Sequence, residues 1–368
     1  MKYCVLQNLN YLAPYPGNIA NSIWTLDARL KEIDIDTIYI FPAEAQELYW
    51  VKEMTAKNII VYFRAPDDFF ADAMLYNQII KKHNVKIIHT HFWSIKNCMS
   101  LRIAKLMNPG THLVLHHRNH YFTSHGRLKE AVKRFLIKSS AHIGCSEEVG
   151  KDLIRQNFPK DICYGVNNAI FFSRLDEYEN VNLADYKIES DSKVFLMFGF
   201  DYHRKGVDLV IDALKDIAPR NNISLCIIFA AYEKNGIENI KNTLGELPDW
   251  IKILPSTDKI ASYYNIADAF ISASREEGLC NAVVESAYCN CQVIVSNIPG
   301  HTTSIPAIKI FENENVEELK EKISEVLNES PEARQKNNAI QKKYVMEKCS
   351  MDNLCNSIIK IYNKIIKI

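Results

Sequence analysis

The sequence predicts an α/β chain built on two doubly wound parallel sheets, and three observations lead there. Short runs rich in β-branched and aromatic residues alternate with longer stretches of helical periodicity from one end to the other. That rhythm breaks once, in a polar, acidic stretch over residues 174–192, and then restarts. The 368 residues, 47% hydrophobic and 24% charged, have a globular composition and the length for two or three separate cores.

In the first half, strands are expected at residues 3–6, 37–41, 59–63, 86–89, 112–116, 142–145 and 162–164, each a short apolar run. Between them Ile19, Ile23, Leu26 and Leu30 recur at helical spacing. Ser146 is placed to cap a helix whose first turn carries Glu147 and Glu148. Past the acidic stretch, strands are expected at residues 194–198, 225–229, 251–254, 269–272 and 292–295. At the end Leu354, Ile358, Ile361, Tyr362 and Ile365 share one face, with Lys360 and Lys364 elsewhere, which predicts an amphipathic helix. The expected organisation is an N-terminal domain over 1–173, a linker over 174–192, a C-terminal domain over 193–345, and a helical segment over 346–368 that packs back on the N-terminal domain. Two such domains in series place a ligand where the carboxyl ends of both sheets face an inter-domain cleft.

The 44 lysines and arginines balance the 44 aspartates and glutamates, so no global field recruits nucleic acid. The ten cysteines form no C-x-x-C pair and read as reduced, buried thiols, with no metal site among them. The first ten residues contain no unbroken apolar stretch, and no apolar run approaches the ~18 residues of a membrane span. A cytoplasmic protein, soluble or peripheral to a membrane, is expected.

The segment I-S-A-S-R-E-E-G-L-C-N-A-V-V-E-S-A over residues 271–287 carries the chemistry: a strand feeds through a glycine-containing turn into a helix. Glu277 lies in the turn and Glu285 in the helix. Gly278 lets backbone approach a ligand, and the N–H groups near Leu279, Cys280 and Asn281, at the helix start, favour an anion. Carboxylates for hydroxyls and amides for a phosphate at one mouth suit a nucleotide sugar.

With those residues the chain resembles the GT-B glycosyltransferases, specifically the retaining glycosyltransferase family four (group 1) that uses nucleotide-diphosphate sugars. Residues 198–208, F-G-F-D-Y-H-R-K-G-V-D, resemble that family's G-R-x-x-x-x-K-G segment, and V-N-N-A-I at 166–170 its N-G-[VI]-D turn. Y-N-I-A-D-A-F at 264–270 and S-N-I-P-G at 296–300 resemble further segments in the same order. The likeness is strong over the second domain and weak over the first.

The resemblance implies that Glu285 holds the ribose hydroxyls, Glu277 the hydroxyls of the transferred sugar, and Lys205 the diphosphate. Phe200 stands where the family has arginine, and Arg204 is the candidate to restore the missing charge. In the first domain Gly17, within P-Y-P-G-N, resembles a glycine that approaches the donor phosphate. Histidines cluster at two expected strand ends, His89 with His91, and His116 with His117 and His120. The second cluster resembles a segment in which one imidazole contacts the transferred sugar, with His117 favoured and His116 and His120 as alternatives. Residues 126–138 place Leu128, Val132, Phe135 and Leu136 among Arg127, Lys129, Lys133, Arg134 and Lys138, a basic amphipathic helix suited to an anionic membrane surface.

The implied activity is retaining, metal-independent hexosyl transfer from a nucleotide-diphosphate sugar, with no cofactor. The acceptor is a hydroxyl of a glycan or lipid-linked glycan, in cell-surface polysaccharide or glycolipid synthesis at the inner face of the membrane. The alternatives are a non-catalytic GT-B protein that binds glycans or a partner, and a GT-B sugar-nucleotide epimerase.

Overall fold

The computed structural model describes residues 3–65, 68–124, 126–229, 235–302 and 305–366. From the N-terminus the elements run β1 (Tyr3–Leu9), α1 (Gly17–Glu32), β2 (Ile35–Pro42), α2 (Tyr49–Ala56), β3 (Val61–Arg64), α3 (Phe69–His83), β4 (Val85–His91), α4 (Ile95–Met107), β5 (His112–His117), α5 (Arg127–Leu136), β6 (Ala141–Gly144), α6 (Glu147–Arg155) and β7 (Cys163–Gly165). There follow α7 (Ser173–Asp176), β8 (Lys193–Phe198), α8 (Val207–Leu214), β9 (Ile223–Ile228), α9 (Gly236–Leu244), β10 (Ile251–Leu254), α10 (Ala261–Ile266), β11 (Ala269–Ser272), α11 (Asn281–Tyr288), β12 (Gln292–Ser296), α12 (Pro299–Thr302), β13 (Lys309–Phe311), α13 (Val316–Asn328), α14 (Pro331–Lys348) and α15 (Met351–Ile366).

The chain divides into two compact units, Met1–Ala169 with Met351–Ile368, and Ile170–Ser350. The first holds a parallel sheet in the order β3-β2-β1-β4-β5-β6-β7, and the second one in the order β10-β9-β8-β11-β12-β13. Both are α/β sheets of Rossmann type, covered by helices on both faces, so their central strands are buried on both sides. Every residue of β9 is buried, for example.

In the first unit Val5, Ile87, Val114 and Ile143 face Leu26 and Leu30 of α1 and Leu354, Ile358, Ile361, Tyr362 and Ile365 of α15. The alternating apolar face of α15 is thus covered by the unit it belongs to. The other face of this sheet packs Leu6, Ile88 and Leu115 against Tyr76, Ile79 and Leu101.

One expectation is corrected, and one strand is added. The acidic stretch 174–192 is not a free linker, because Leu175 and Ile188 are buried in the core of the second unit with Val194 and Leu196. Its polar composition comes from an exposed outer side, and its apolar anchors, Leu175 and Ile188 with the half-buried Val181, Leu183 and Tyr186, fall at no regular spacing. The edge strand β13, of three residues, was absent from the sequence reading since so short a run carries no period.

All ten cysteines are free thiols, nine of them buried. No helix among the described residues is long and apolar enough to cross a membrane.

Candidate active site

In the second sheet the strand order reverses between β8 and β11, the place where open parallel sheets receive ligands. The turn over residues 199–206 leaves the carboxyl end of β8, and that over 273–280 leaves β11. Gly206, with φ of +65°, brings the two together. A Cβ there would lie 2.1 Å from the carbonyl oxygen of Ala273, so only glycine permits the contact. The Arg275 amide then donates to the Arg204 carbonyl at 2.8 Å.

This contact delivers Lys205 to Glu277. The ammonium donates to Glu277 Oε1, Ser274 Oγ donates to the same oxygen at 3.1 Å, and Arg204 Nη1 approaches it at 3.5 Å. Lys205 and Glu277 keep 13% and 11% of their side-chain surface exposed. Burial opposes charge on each, and mutual attraction wins: Lys205 is raised above the ordinary lysine value and Glu277 held below the ordinary carboxylate value. Cys280 also lies beside Lys205, but burial raises its thiol, so the negative charge in contact is that of Glu277. Behind Glu277, His301 Nδ1 donates to the Ser296 carbonyl at 3.1 Å, which leaves Nε2 to accept from Ser272 Oγ at 3.0 Å, and burial pushes the ring down to about 4, which leaves it neutral.

Glu285, one turn into α11, is 6% exposed. Tyr264 Oη donates to its Oε2 at 3.2 Å, and Arg174 pairs with its other oxygen. The preceding residues Gly278, Leu279 and Cys280 are buried, and the Cys280 side chain does not cap the helix. Backbone N–H groups, not a side-chain acceptor, therefore characterise the start of α11 at Asn281.

In the first unit, Gly17 begins α1 with φ of +55°, after the turn that follows β1. His117 ends β5 and is 3% exposed. Its Nε2 bonds His142 Nδ1 at 2.9 Å, and His142 Nε2 bonds Ser139 Oγ at 2.9 Å. His116 points to the other sheet face and bonds His89 at 3.2 Å. His89 reaches Tyr362 Oη, and His91 reaches Gln7 Oε1 at 3.0 Å. The imidazole nitrogens of His89, His91 and His116 lie within 4.8 Å of one another, a spacing that also suits a metal ion, but most of them are engaged in these bonds. His120 Nδ1 lies 3.3 Å from Asp152.

Residues 179–343, which contain both turns of the second sheet, match the family described as "Glycosyl transferases group 1". An uncharacterized glycosyltransferase of Methanocaldococcus jannaschii is 28% identical over 365 residues, 92% of this chain and 93% of that one. These matches support a group 1 glycosyltransferase on a GT-B fold. The glycosyltransferase is also 24% identical to the capsular polysaccharide biosynthesis glycosyltransferase CapM of Staphylococcus aureus, over 61% of this chain and 62% of that one. Crystal structures of Anabaena HepE with UDP and with UDP-glucose superpose with TM-scores of 0.78 and 0.77 at 14% identity, covering 99% and 98% of this chain and 100% and 99% of that one.

The structure of this glycosyltransferase accounts for Phe200. Its ring packs 5.2 Å from that of Phe198, on the aromatic group that includes Tyr264 and Phe270. The site's second cation is Arg204, four residues on, braced by Asp201 at 3.1 Å and aimed at Glu277. Three residues escaped the sequence reading. Arg275 joins the two turns to Asp208 and Glu314, and its only signal is its place beside the glutamates. Arg174 comes from a segment with no motif that announces it, and His301 directly follows the S-N-I-P-G segment without belonging to it.

Proposed function

We propose that this glycosyltransferase binds a nucleotide-diphosphate sugar on its second unit and moves the sugar, with retention, to an acceptor hydroxyl. The observation that carries this reading is the Lys205–Glu277 pair at the reversal of strand order. A donor sugar diphosphate asks for a cation and a carboxylate a few ångströms apart, and the pair offers both. Lys205 meets the diphosphate, Glu277 accepts from sugar hydroxyls, and Glu285 accepts from the ribose. The UDP-glucose bound to HepE supports this donor class.

As the glycosidic bond breaks, the electron pair goes to the leaving diphosphate oxygen. Lys205, Arg204 and the amides of Gly278, Leu279, Cys280 and Asn281 are the groups that offset its charge. The acceptor hydroxyl attacks from the same face, and its proton passes to the leaving oxygen. This route needs neither a metal nor a cofactor to supply positive charge, and it needs no carboxylate nucleophile. Gly17, at the start of α1, is the first unit's candidate for the donor phosphate, and His117 its candidate for the transferred sugar.

The test is a screen of nucleotide sugars for thermal stabilisation, since a ligand at 100 times its dissociation constant adds roughly 2.7 kcal/mol. Product analysis by NMR then reads the anomeric configuration. Inversion, or epimerised donor with no transfer, overturns the reading, and so does absence of binding to every nucleotide sugar. Glu285→Ala is expected to weaken UDP binding by about tenfold or more, the scale of one charge-assisted hydrogen bond. Calorimetric titration showing unchanged affinity removes Glu285 from the nucleotide site.

The acceptor is proposed to be a glycan or lipid-linked glycan met at the inner face of a membrane. CapM, which is named for capsular polysaccharide biosynthesis, supports a polysaccharide role. The surface of α5 supports the membrane. No residue of this helix is buried, and Leu128, Val132 and Phe135 are 79%, 50% and 57% exposed along one stripe, beside the exposed Arg127 and Lys129. Lys133 and Arg134, by contrast, turn inward to Phe122 and Glu130. Replacing Arg127 and Lys129 by glutamate is therefore expected to abolish sedimentation with phosphatidylglycerol vesicles, at about 1 kcal/mol for each basic residue removed. Equal sedimentation of parent and variant leaves α5 as a solvated helix only.

A further inference from the structure

At the carboxyl end of β5 the first unit contains a cavity of about 440 Å³ with no aspartate or glutamate among its described lining residues. Two cations line it, Arg118 and Lys133. Arg118 donates from Nη1 to Asn168 Oδ1 at 2.6 Å and from Nη2 to His91 Nδ1 at 2.7 Å, and its Nε is buried with no hydrogen-bond partner among the described residues. None of these contacts is a carboxylate. Burial pushes this guanidinium down to about 10.

Lys133 is half-buried and makes no ion pair with a carboxylate among the described residues. Its ammonium donates to the Phe122 carbonyl and lies 4.0 Å from the centre of the Tyr121 ring. The carboxylates nearby are already taken. Glu130 accepts from Tyr121 Oη, Ser124 N and Arg134, and Asp152 from Tyr121 N and the His120 ring. His116 also lines the cavity, and its buried Nε2 has no partner among the described residues.

A desolvated cation without a counterion is costly, and folded proteins ordinarily pair it. Arg118 is such a cation, and the half-buried Lys133 on the same cavity adds a second positive charge with no carboxylate among the described lining residues, so the two together suit an anion. Phe92 and Trp93 add apolar faces of the kind that cover the C–H face of a sugar ring. The volume suits a ligand of monosaccharide size with a charged substituent.

We propose that this cavity recognises an anionic sugar, and that the acceptor of the transferase carries a carboxylate or phosphate that sits on Arg118 and Lys133. The word acceptor rests on the transferase reading above; the ligand class is read from the cavity itself.

The test is calorimetric titration of the full-length protein with glucuronate, glucose 1-phosphate and neutral methyl glucoside, run in the parent and in Lys205→Ala, which removes the cation of the second unit. Both anionic sugars, or one of them, are expected to bind at least tenfold more tightly than methyl glucoside in both backgrounds. Tighter glucose 1-phosphate assigns phosphate, and tighter glucuronate assigns carboxylate. Arg118→Gln is expected to weaken the anion about tenfold or more, and Lys133→Gln several-fold. Lys133 lies on the exposed helix α5, so its variant stays informative if Arg118→Gln fails to fold. Equal affinity for neutral and anionic sugars, no binding of either anion, full affinity in Lys133→Gln, or loss in Lys205→Ala overturns the proposal. UDP titration in parallel separates the two readings: anion binding without UDP binding retires the donor assignment and leaves this cavity standing.

Discussion

Lys205→Ala is expected to lower turnover by on the order of 10²–10³ at saturating donor, the cost of removing one preorganised group that meets developing charge. The ammonium is held against Glu277 by the contact of two turns, not by its own flexibility. The same substitution strands Glu277, which keeps Ser274 and the more distant Arg204. A loss of stability on the order of 3 kcal/mol is expected alongside, as when one partner of a buried pair is deleted. Urea titration in the presence and absence of UDP separates the two effects. Arg204→Ala decides whether the arginine compensates for Phe200. If both cations act on one diphosphate, the double variant loses less than the product of the two single losses. Turnover unchanged in Lys205→Ala removes it from the mechanism, and strictly multiplicative losses place Arg204 on a separate task.

The fold was legible in the sequence because its strands are short apolar runs and its helices carry clear periodicity. The pattern of β9, apolar on both sides, belongs to a strand covered on both faces. Failures came where length or spacing suppressed the pattern. β13 has three residues, and Leu175 and Ile188 hold an otherwise acidic stretch to the second core. The Glu277 and Lys205 segments were legible as motifs, but their meeting depends on a backbone contact that Gly206 permits and no spacing reveals. Nor could the sequence show which basic residues of α5 face solvent. Lys133 and Arg134 sit among the others in the sequence, yet one lies over Tyr121 and the other on Glu130. The histidines were legible as a cluster at strand ends. That they bond to each other on two faces of one sheet follows from the alternation of side chains along β4 and β5, with their register placing His91 beside His116.

That cluster leads to the second large effect: the first unit is expected to unfold between about pH 6.5 and 5, before the second. Burial, followed by the nearby Arg118, pushes His89 down to about 3, and burial with Arg134 does the same to His142. His91, His116 and His117 are driven well below the ordinary histidine value, first by burial. All five lie in the first unit, where their neutral rings are bonded into the sheet. Their folded pKa values are below the unfolded value near 6.5, so as pH falls the unfolded chain takes up protons that the folded one refuses. Stability is complete above pH 6.5 and declines below it, by roughly 1.4 kcal/mol per pH unit for each histidine once the unfolded rings are charged. Five together remove several kcal/mol by about pH 5.5, a large part of the 5–15 kcal/mol typical of a folded domain. Half-buried Asp27 and buried Asp72 act in the opposite sense, since burial raises their carboxyls, but from the lower carboxylate range they offset little in this window. The second unit has one strongly shifted histidine, His301, at about 4. Trp24, Trp50 and Trp93 report the first unit and Trp250 the second, so Trp250→Phe gives a fluorescence signal for the first unit alone. Urea midpoints from that signal should fall steeply between pH 6.5 and 5.5, and His142→Gln should flatten the slope by about one proton. A midpoint that stays level across this range would mean that the buried rings are charged in the folded state, and the hydrogen-bonded neutral cluster described here would be wrong.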